Sequence, residues 1–272
     1  MNNFQLLAVD LDGTLLNDEN KISNENLQAI RELNNRNIVF APCTGRTLSE
    51  IPNLIKDNED IRYIVYSNGS VVFDKVSKRT IKCCISNETA LKIYNILSKY
   101  QVHFTIRVDG KCYIEKNSTD DFNISYYNII PAHEDVLKNY SIEVDDFSSW
   151  KSNLEDVEVV SVFFHSDKDL VECKSKLSAI SEIMFVQAAE YNLEILSKNA
   201  GKGTGLINLS KMLNIEKEKV VAVGDSGNDI PMMSGAGISV AVSNATDTLK
   251  AVCDRVICSN NEHVVEYILK NF

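Results

Sequence analysis

Short unbroken apolar runs alternate with helical patterns at both ends of the chain. Residues 4–9 form the first run, of the kind buried on both faces of a parallel sheet. Ser23 then offers an N-cap, with Ile22 and Leu27 placed as a hydrophobic staple and Leu27, Ile30 and Leu33 along one helical face. Residues 38–41 make a second apolar run. Thr47 and Glu50 have capping-box spacing for another helix, and Pro52 fits badly deep inside it, so the expected start moves to Ser49. Residues 63–66 read as a third strand, which Asn68-Gly69 turns into residues 71–73 as a hairpin. This order predicts parallel strands with right-handed crossovers, the opening of a doubly wound α/β domain.

The alternation resumes late, with strands expected at residues 193–196, 220–223, 238–242 and 256–257 and helices at 204–213 and 264–269. The middle differs. Residues 103–108, Asp109-Gly110 and residues 111–115 carry a strong hairpin pattern. Strands are also expected at 157–164 and 184–186, and helices at 89–97 and 170–180. Hairpins with helices on one side predict an α+β unit on an antiparallel sheet. The expected organisation is an α/β core of mostly parallel sheet at residues 1–82 and 191–272, with an α+β cap inserted at 83–190. Residues 116–156 have too weak a periodicity to order.

The 272 residues suit two modest domains, and 44% hydrophobic residues can fill their cores. The net charge of −10 argues against nucleic acid and anionic membranes as partners, since no Lys/Arg run supplies a local basic patch. Seven Cys at irregular spacing contain no C-x-x-C pair, and four His form no H-E-x-x-H, so zinc is not expected. Buried, reduced thiols in a cytoplasmic protein are expected instead. Asp10 and Asp12 interrupt the first apolar run, so neither a signal peptide nor a transmembrane span is expected.

Four clusters carry candidate chemistry. Asp10-Leu11-Asp12-Gly13-Thr14 stands at the carboxyl end of the first strand, where open α/β sheets bind ligands. Residues i and i+2 of an extended segment point the same way, so both carboxylates can face one site, and Gly13 lets the chain turn. Two acids beside a hydroxyl can hold a hard cation and present a nucleophile; a polar, turn-forming loop is the plainer alternative. Thr44-Gly45-Arg46 follows the second strand, where a hydroxyl and backbone N–H groups can hold phosphate or merely open a helix. Lys202 in Asn199-Ala200-Gly201-Lys202-Gly203 offers a point charge for phosphate, or is a surface lysine. The loop is no Walker A motif, because Gly203 and Ser197 stand where that pattern needs a hydroxyl residue and a glycine. Gly224-Asp225-Ser226-Gly227-Asn228-Asp229 brings two carboxylates and an amide to the same sheet edge, with Asp225 able to complete a metal site and Asp229 to support it, or is a solvated, turn-forming loop.

Together, in this order and context, the clusters resemble the motifs of the haloacid dehalogenase superfamily, in particular its subclass IIB of Cof-type phosphatases with a large inserted cap. The resemblance spans the whole chain. It implies that Asp10 is a nucleophile that forms an aspartyl-phosphate, and that Asp12 is the general acid and base. It implies Mg²⁺ held by Asp10, the Asp12 carbonyl and Asp225. Phosphate oxygens would be held by Leu11, Thr44, Gly45, Lys202 and Asn228, with Thr14 and Asp229 positioning the loop and the metal ligands. Cys43 is expected to be a small buried residue. The implied partner is a small phosphorylated metabolite, with sugar phosphates foremost. In the cap, Arg107, Tyr126, Tyr127, His133 and His165 are candidates for substrate contact, each read first as structural or surface.

Other readings start from the same residues. A phosphomutase or phosphotransferase would pass the phosphoryl group to an acceptor other than water. A receiver-like phosphoacceptor module also uses Asp, Mg²⁺, Thr and Lys, but it lacks an acid two residues beyond the acceptor and is far shorter. A metabolite-binding pseudo-enzyme is disfavoured because every expected catalytic residue is present.

Overall fold

The computed structural model describes residues 4–149, 154–187 and 189–272. They divide into two compact units. One comprises the chain up to Gly45 with Ile51–Ile81 and Gly201–Phe272, the other Arg46–Glu50 with Lys82–Ala200. The chain runs first through β1 (Leu6–Val9), α1 (Asn24–Asn35), β2 (Val39–Pro42), α2 (Asn53–Lys56), β3 (Tyr63–Tyr66), β4 (Val71–Asp74) and β5 (Thr80–Lys82). It continues through α3 (Asn87–Leu97), β6 (Val102–Val108), β7 (Lys111–Glu115), α4 (Asp121–Tyr126), α5 (Pro131–Tyr140), β8 (Ser141–Val144), β9 (Val157–Phe164), α6 (Asp167–Leu177), β10 (Ile183–Val186) and β11 (Asn192–Ser197). The return to the first unit comprises α7 (Lys202–Leu213), β12 (Val220–Gly224), α8 (Ile230–Ser234), β13 (Ile238–Ala241), α9 (Asp247–Lys250), β14 (Arg255–Val256) and α10 (Val264–Asn271).

The first unit is organised by a five-stranded parallel sheet in the order β14-β13-β12-β1-β2. Every residue of β1 and β12 is buried. A strand inside such a sheet has no solvent face, hence the unbroken apolar sequence. Val9 pairs with Val223, so both strands end at the same edge. Ser23 caps α1 as expected, accepting from the Asn26 N–H. The buried face of that helix, however, is Asn26, Ala29, Ile30 and Leu33, with Leu27 only half-buried. Asn26 is tolerated inside because its Oδ1 accepts the Val265 N–H of α10 at 2.9 Å.

Two expectations in this region change. Glu50 does accept the Thr47 N–H at 2.8 Å, but only a short 3₁₀ turn, Leu48–Glu50, follows; α2 begins after Pro52. Proline ends the turn because it has no N–H to continue it. Nor does β3 continue the parallel ladder: it pairs antiparallel with β4, and among the described residues an isolated parallel bridge between Cys43, just past β2, and Val65 joins it to the sheet. The N–H groups of Val39 and Cys43 face β1, while that of Thr44 donates to Val65 of the β3 side. By this alternation Pro42 would donate toward β3, and it has no proton to give.

The second unit is a six-stranded sheet in the order β10-β11-β9-β6-β7-β8, antiparallel except for β7 with β8. Asp109 and Gly110 both take positive φ in the tight turn of the β6–β7 hairpin, as the Asp-Gly signal predicts. One sheet face packs Ile106, Val160, Val162 and Phe164 against Ile93 and Leu97 of α3 and Leu170, Cys173 and Leu177 of α6. On the opposite face Cys112, Ile114 and Phe163 pack with Ile124 of α4 and Leu137 of α5. The strand expected at 193–196 was placed with the resumed α/β alternation; it is β11 and pairs antiparallel with β9 and β10 instead. Within the stretch 116–156 that the sequence leaves unordered, α4, α5 and β8 form, and residues 150–153 lie outside the described residues.

Candidate active site

Asp10 follows β1, and its N–H still reaches the Val223 carbonyl at 3.0 Å. There the chain leaves the sheet: Asp12 is extended and Gly13 left-handed, with φ 71°. A Cβ on Gly13 would lie 2.7 Å from Asp225 Oδ2, so both its conformation and the closeness of Asp225 demand glycine. Asn244 Nδ2 donates to the Gly13 carbonyl at 2.8 Å. The Thr246 N–H donates to the Asp225 carbonyl at 2.8 Å. These two residues hold the loops after β1 and β12, and sequence reasoning missed them because ordinary polar residues after a strand carry no distinguishing signal.

Asp10 is 3% exposed, and its Oδ1 accepts from Lys202 Nζ at 2.6 Å. The same ammonium donates to Asp229 Oδ1 at 2.7 Å. Lys202 is therefore no surface lysine: it starts α7 and is buried between two carboxylates. Burial alone would weaken its hold on the proton, but Asp10 and Asp229 raise its affinity above the ordinary lysine range. Burial pushes the Asp10 carboxyl well up, against the pull of Lys202 and with added repulsion from Asp229, Asp12 and Asp225. Burial, and then Asp229, raise Asp225 to about 6. Asp229 is fully committed, since its Oδ2 accepts the N–H groups of Asp225 and Ser226 at 3.0 and 3.1 Å. That geometry suits a residue that shapes the loop and orients Lys202.

Thr44 is buried, and its N–H donates to the Val65 carbonyl at 2.9 Å. The Gly45 N–H makes no hydrogen bond among the described residues. Asn228 Oδ1 accepts the Ser226 hydroxyl at 2.8 Å, which orients the amide so that Nδ2 can donate elsewhere. Leu11 and Thr14 are buried in the turn after β1, and Asp12 is exposed. Burial pushes the Cys43 thiol far up, so it stays protonated.

In the second unit Arg107 is buried, donating to Glu50 Oε1 at 3.3 Å and Glu194 Oε1 at 3.0 Å. Its partner Glu50 entered the sequence reading only as a capping residue; nothing local marks it as an ion-pair partner. Tyr126 stacks on His165, with ring centroids 4.0 Å apart, and on Phe122. Tyr127 and His133 pack near His103 and Phe163 respectively.

One oxygen from each of Asp10, Asp225 and Asp229 lies within 4.8 Å of the others. Hard carboxylate oxygens in excess over the single buried ammonium fit a hard cation such as Mg²⁺. Among the described residues no helix is long and apolar enough to cross a membrane.

The family described as haloacid dehalogenase-like hydrolase matches residues 7–269. Phosphatase YwpJ of Bacillus subtilis is 27% identical over 98% of this chain and 99% of its own. The 5-amino-6-(5-phospho-D-ribitylamino)uracil phosphatase YwtE of the same organism is 29% identical over 97% of this chain and 96% of its own. Among solved structures, a Thermotoga maritima protein superposes with a TM-score of 0.83 at 27% identity, covering 99% of this chain and 97% of the other. The buried Asp10–Lys202–Asp229 arrangement lies within a match that spans both units, and the chain belongs to the haloacid dehalogenase-like hydrolase family, where its place is with the phosphatases.

Proposed function

We propose that the protein is a Mg²⁺-dependent phosphatase that hydrolyses small phosphate monoesters, sugar or polyol phosphates foremost, through a phosphoryl group carried on Asp10. The observation that carries this reading is the Asp10 carboxylate, buried at the end of β1, held by Lys202 and adjacent to Asp225. A carboxylate placed so has one oxygen fixed by the ammonium and the other available to attack phosphorus. The P–O bond to the leaving group breaks as the Asp10–phosphorus bond forms. Asp12, exposed two residues on, donates its proton to the leaving oxygen. It then takes a proton from the water that attacks the acyl phosphate, restoring Asp10 and releasing inorganic phosphate.

Lys202, the Thr44 hydroxyl, the Gly45 and Leu11 N–H groups and Asn228 are the donors we assign to the phosphate oxygens, with Thr14 and Asp229 as supports. Mg²⁺, held by Asp10, the Asp12 carbonyl and Asp225, would neutralise phosphate charge that this acidic site otherwise repels. YwtE is named for a phosphoribityl substrate, which supports including polyol phosphates among the candidates. All seven cysteines are free, which supports a reducing, cytoplasmic setting.

The test is phosphate release from a panel of sugar, polyol and nucleoside phosphates with Mg²⁺ or EDTA, for wild type and Asp10→Asn. Mg²⁺-dependent turnover lost in the variant is expected. Undiminished turnover in Asp10→Asn would remove Asp10 as nucleophile, and turnover only with an added alcohol or sugar acceptor would make the protein a phosphotransferase.

A further inference from the structure

The turn between β3 and β4 is a strained, buried segment that the proposed chemistry leaves without a role. Ser67, Asn68 and Gly69 take φ values of 50°, 51° and 80° in succession, and all three are buried. Left-handed backbone costs a non-glycine residue roughly 1 kcal/mol or more, and it persists where the surroundings over-determine it. A hairpin alone does not require it to be buried.

The surroundings here are the two segments assigned above to phosphate. On one side the Asn68 N–H donates to the Thr44 carbonyl at 2.9 Å, while the Thr44 N–H donates to Val65 at 2.9 Å. The Asn68 carboxamide lies against the backbone of Gly45: a Cβ at Gly45 would stand 3.1 Å from Asn68 Oδ1 and 3.3 Å from Nδ2. On the other side Gly69 backs onto the start of α7, where a Cβ would come within 2.1 Å of the Gly201 carbonyl oxygen and 2.9 Å of the Lys202 nitrogen. The turn is thus wedged between the Thr44–Gly45 loop and the residue that carries the buried ammonium.

We propose that Asn68 is a positioning residue of the phosphate site, its carboxamide setting the Thr44–Gly45 loop so that the Gly45 N–H and the Thr44 hydroxyl converge on a phosphoryl group. Asparagine suits the place because it tolerates left-handed backbone better than other side-chain-bearing residues. The inference rests on the functional reading above. Asn68 would touch neither nucleophile nor leaving group; it acts through Gly45.

Asn68→Gly keeps the backbone conformation accessible and removes only the carboxamide. With the full chain and Mg²⁺, inorganic phosphate is the probe, measured as a competitive inhibitor and by calorimetry; Mg²⁺ binding alone and Tm are measured in parallel. Expected is a loss of phosphate affinity and of kcat/KM of about 10- to 100-fold, the size that misplaced donors cost, with Mg²⁺ affinity and Tm held. Gly45→Ala approaches the contact from the other side and should show the same signature even if Asn68→Gly does not fold. Phosphate affinity at the wild-type level in Asn68→Gly overturns the proposal. So does a loss matched by equal losses of Mg²⁺ affinity and Tm, which marks a general structural role. A wild type that neither hydrolyses any ester nor binds phosphate overturns the functional reading, and this inference with it; failure of Asn68→Gly alone to change binding leaves that reading standing.

Discussion

In the parallel sheet every residue of β1 and β12 is buried, and charge begins only where the strands stop, at Asp10 and Asp225. In the six-stranded sheet of the second unit charge sits within the strands, at Arg107 on β6 and Glu194 on β11, and it too is buried. The two arrangements solve different problems. A strand enclosed on both faces has nowhere to put a charged side chain, so polar groups collect at the strand ends, where backbone N–H groups and a turn can serve a ligand. An antiparallel face can bury polar groups if they satisfy one another. There His103, Thr105 and Arg107 lie opposite Phe163, Ser161 and Val159, and Asn192 and Glu194 extend the face. Ser161 donates to Glu194 at 3.3 Å, and the segment before α2 closes the network through Glu50, with Thr47 donating to Glu158 at 3.2 Å. Charges at the strand ends should therefore govern chemistry, and charges on the face should govern stability.

The sharpest way to break that contrast is Asp10→Asn. Turnover should fall by at least ~10³-fold, as removal of a nucleophile does, while the isosteric amide leaves the chemical-denaturation midpoint close to wild type. A large loss of stability would show that the strand-end cluster is structural as well. Arg107→Met should do the reverse. It leaves Glu50 and Glu194 buried without their shared guanidinium, which costs about 3–5 kcal/mol, read from denaturant unfolding. A Met variant as stable as wild type would show that the face is not held by this pair.

His103 sharpens the contrast through pH. Burial, opposed by a smaller pull from the Ser118 backbone, pushes its imidazole down to about 4 from the ordinary 6.5. The native state thus favours the neutral ring. Its contribution to stability is fully present above pH ~6.5 and is lost as pH falls through about 4, up to roughly 3 kcal/mol in all. Unfolding followed from pH 7 to pH 4 should be flatter by that amount in His103→Phe; an unchanged slope would place the acid sensitivity elsewhere. The smallest effect is expected at α1, where Ser23→Ala removes the cap on Asn26 and should cost about 1 kcal/mol without touching turnover.

The hairpin at Asp109-Gly110, the cap at Ser23 and β9 at Val157–Phe164 were all legible because their signals are local: turn chemistry, a cap and an apolar run. Asp10, Asp12 and Asp225 were legible as candidates because they stand where apolar strands stop, and Asp229 because it belongs to the polar loop that follows β12. Lys202 was weaker: its sequence context fits a surface loop, and only the fold places its ammonium between Asp10 and Asp229.

What the sequence determined by itself was the order of elements and the strand ends at which carboxylates stand, since periodicity and turn residues act over a few positions. Partners far apart in the chain were decided by tertiary structure. It assigned β11 to the antiparallel sheet, detached β3 from the parallel ladder at Pro42, paired Glu50 with Arg107, and set Asn68 against Gly45. Each of these depends on which backbone groups and charges remain to be satisfied once the chain is packed, and no window of neighbouring residues contains that information.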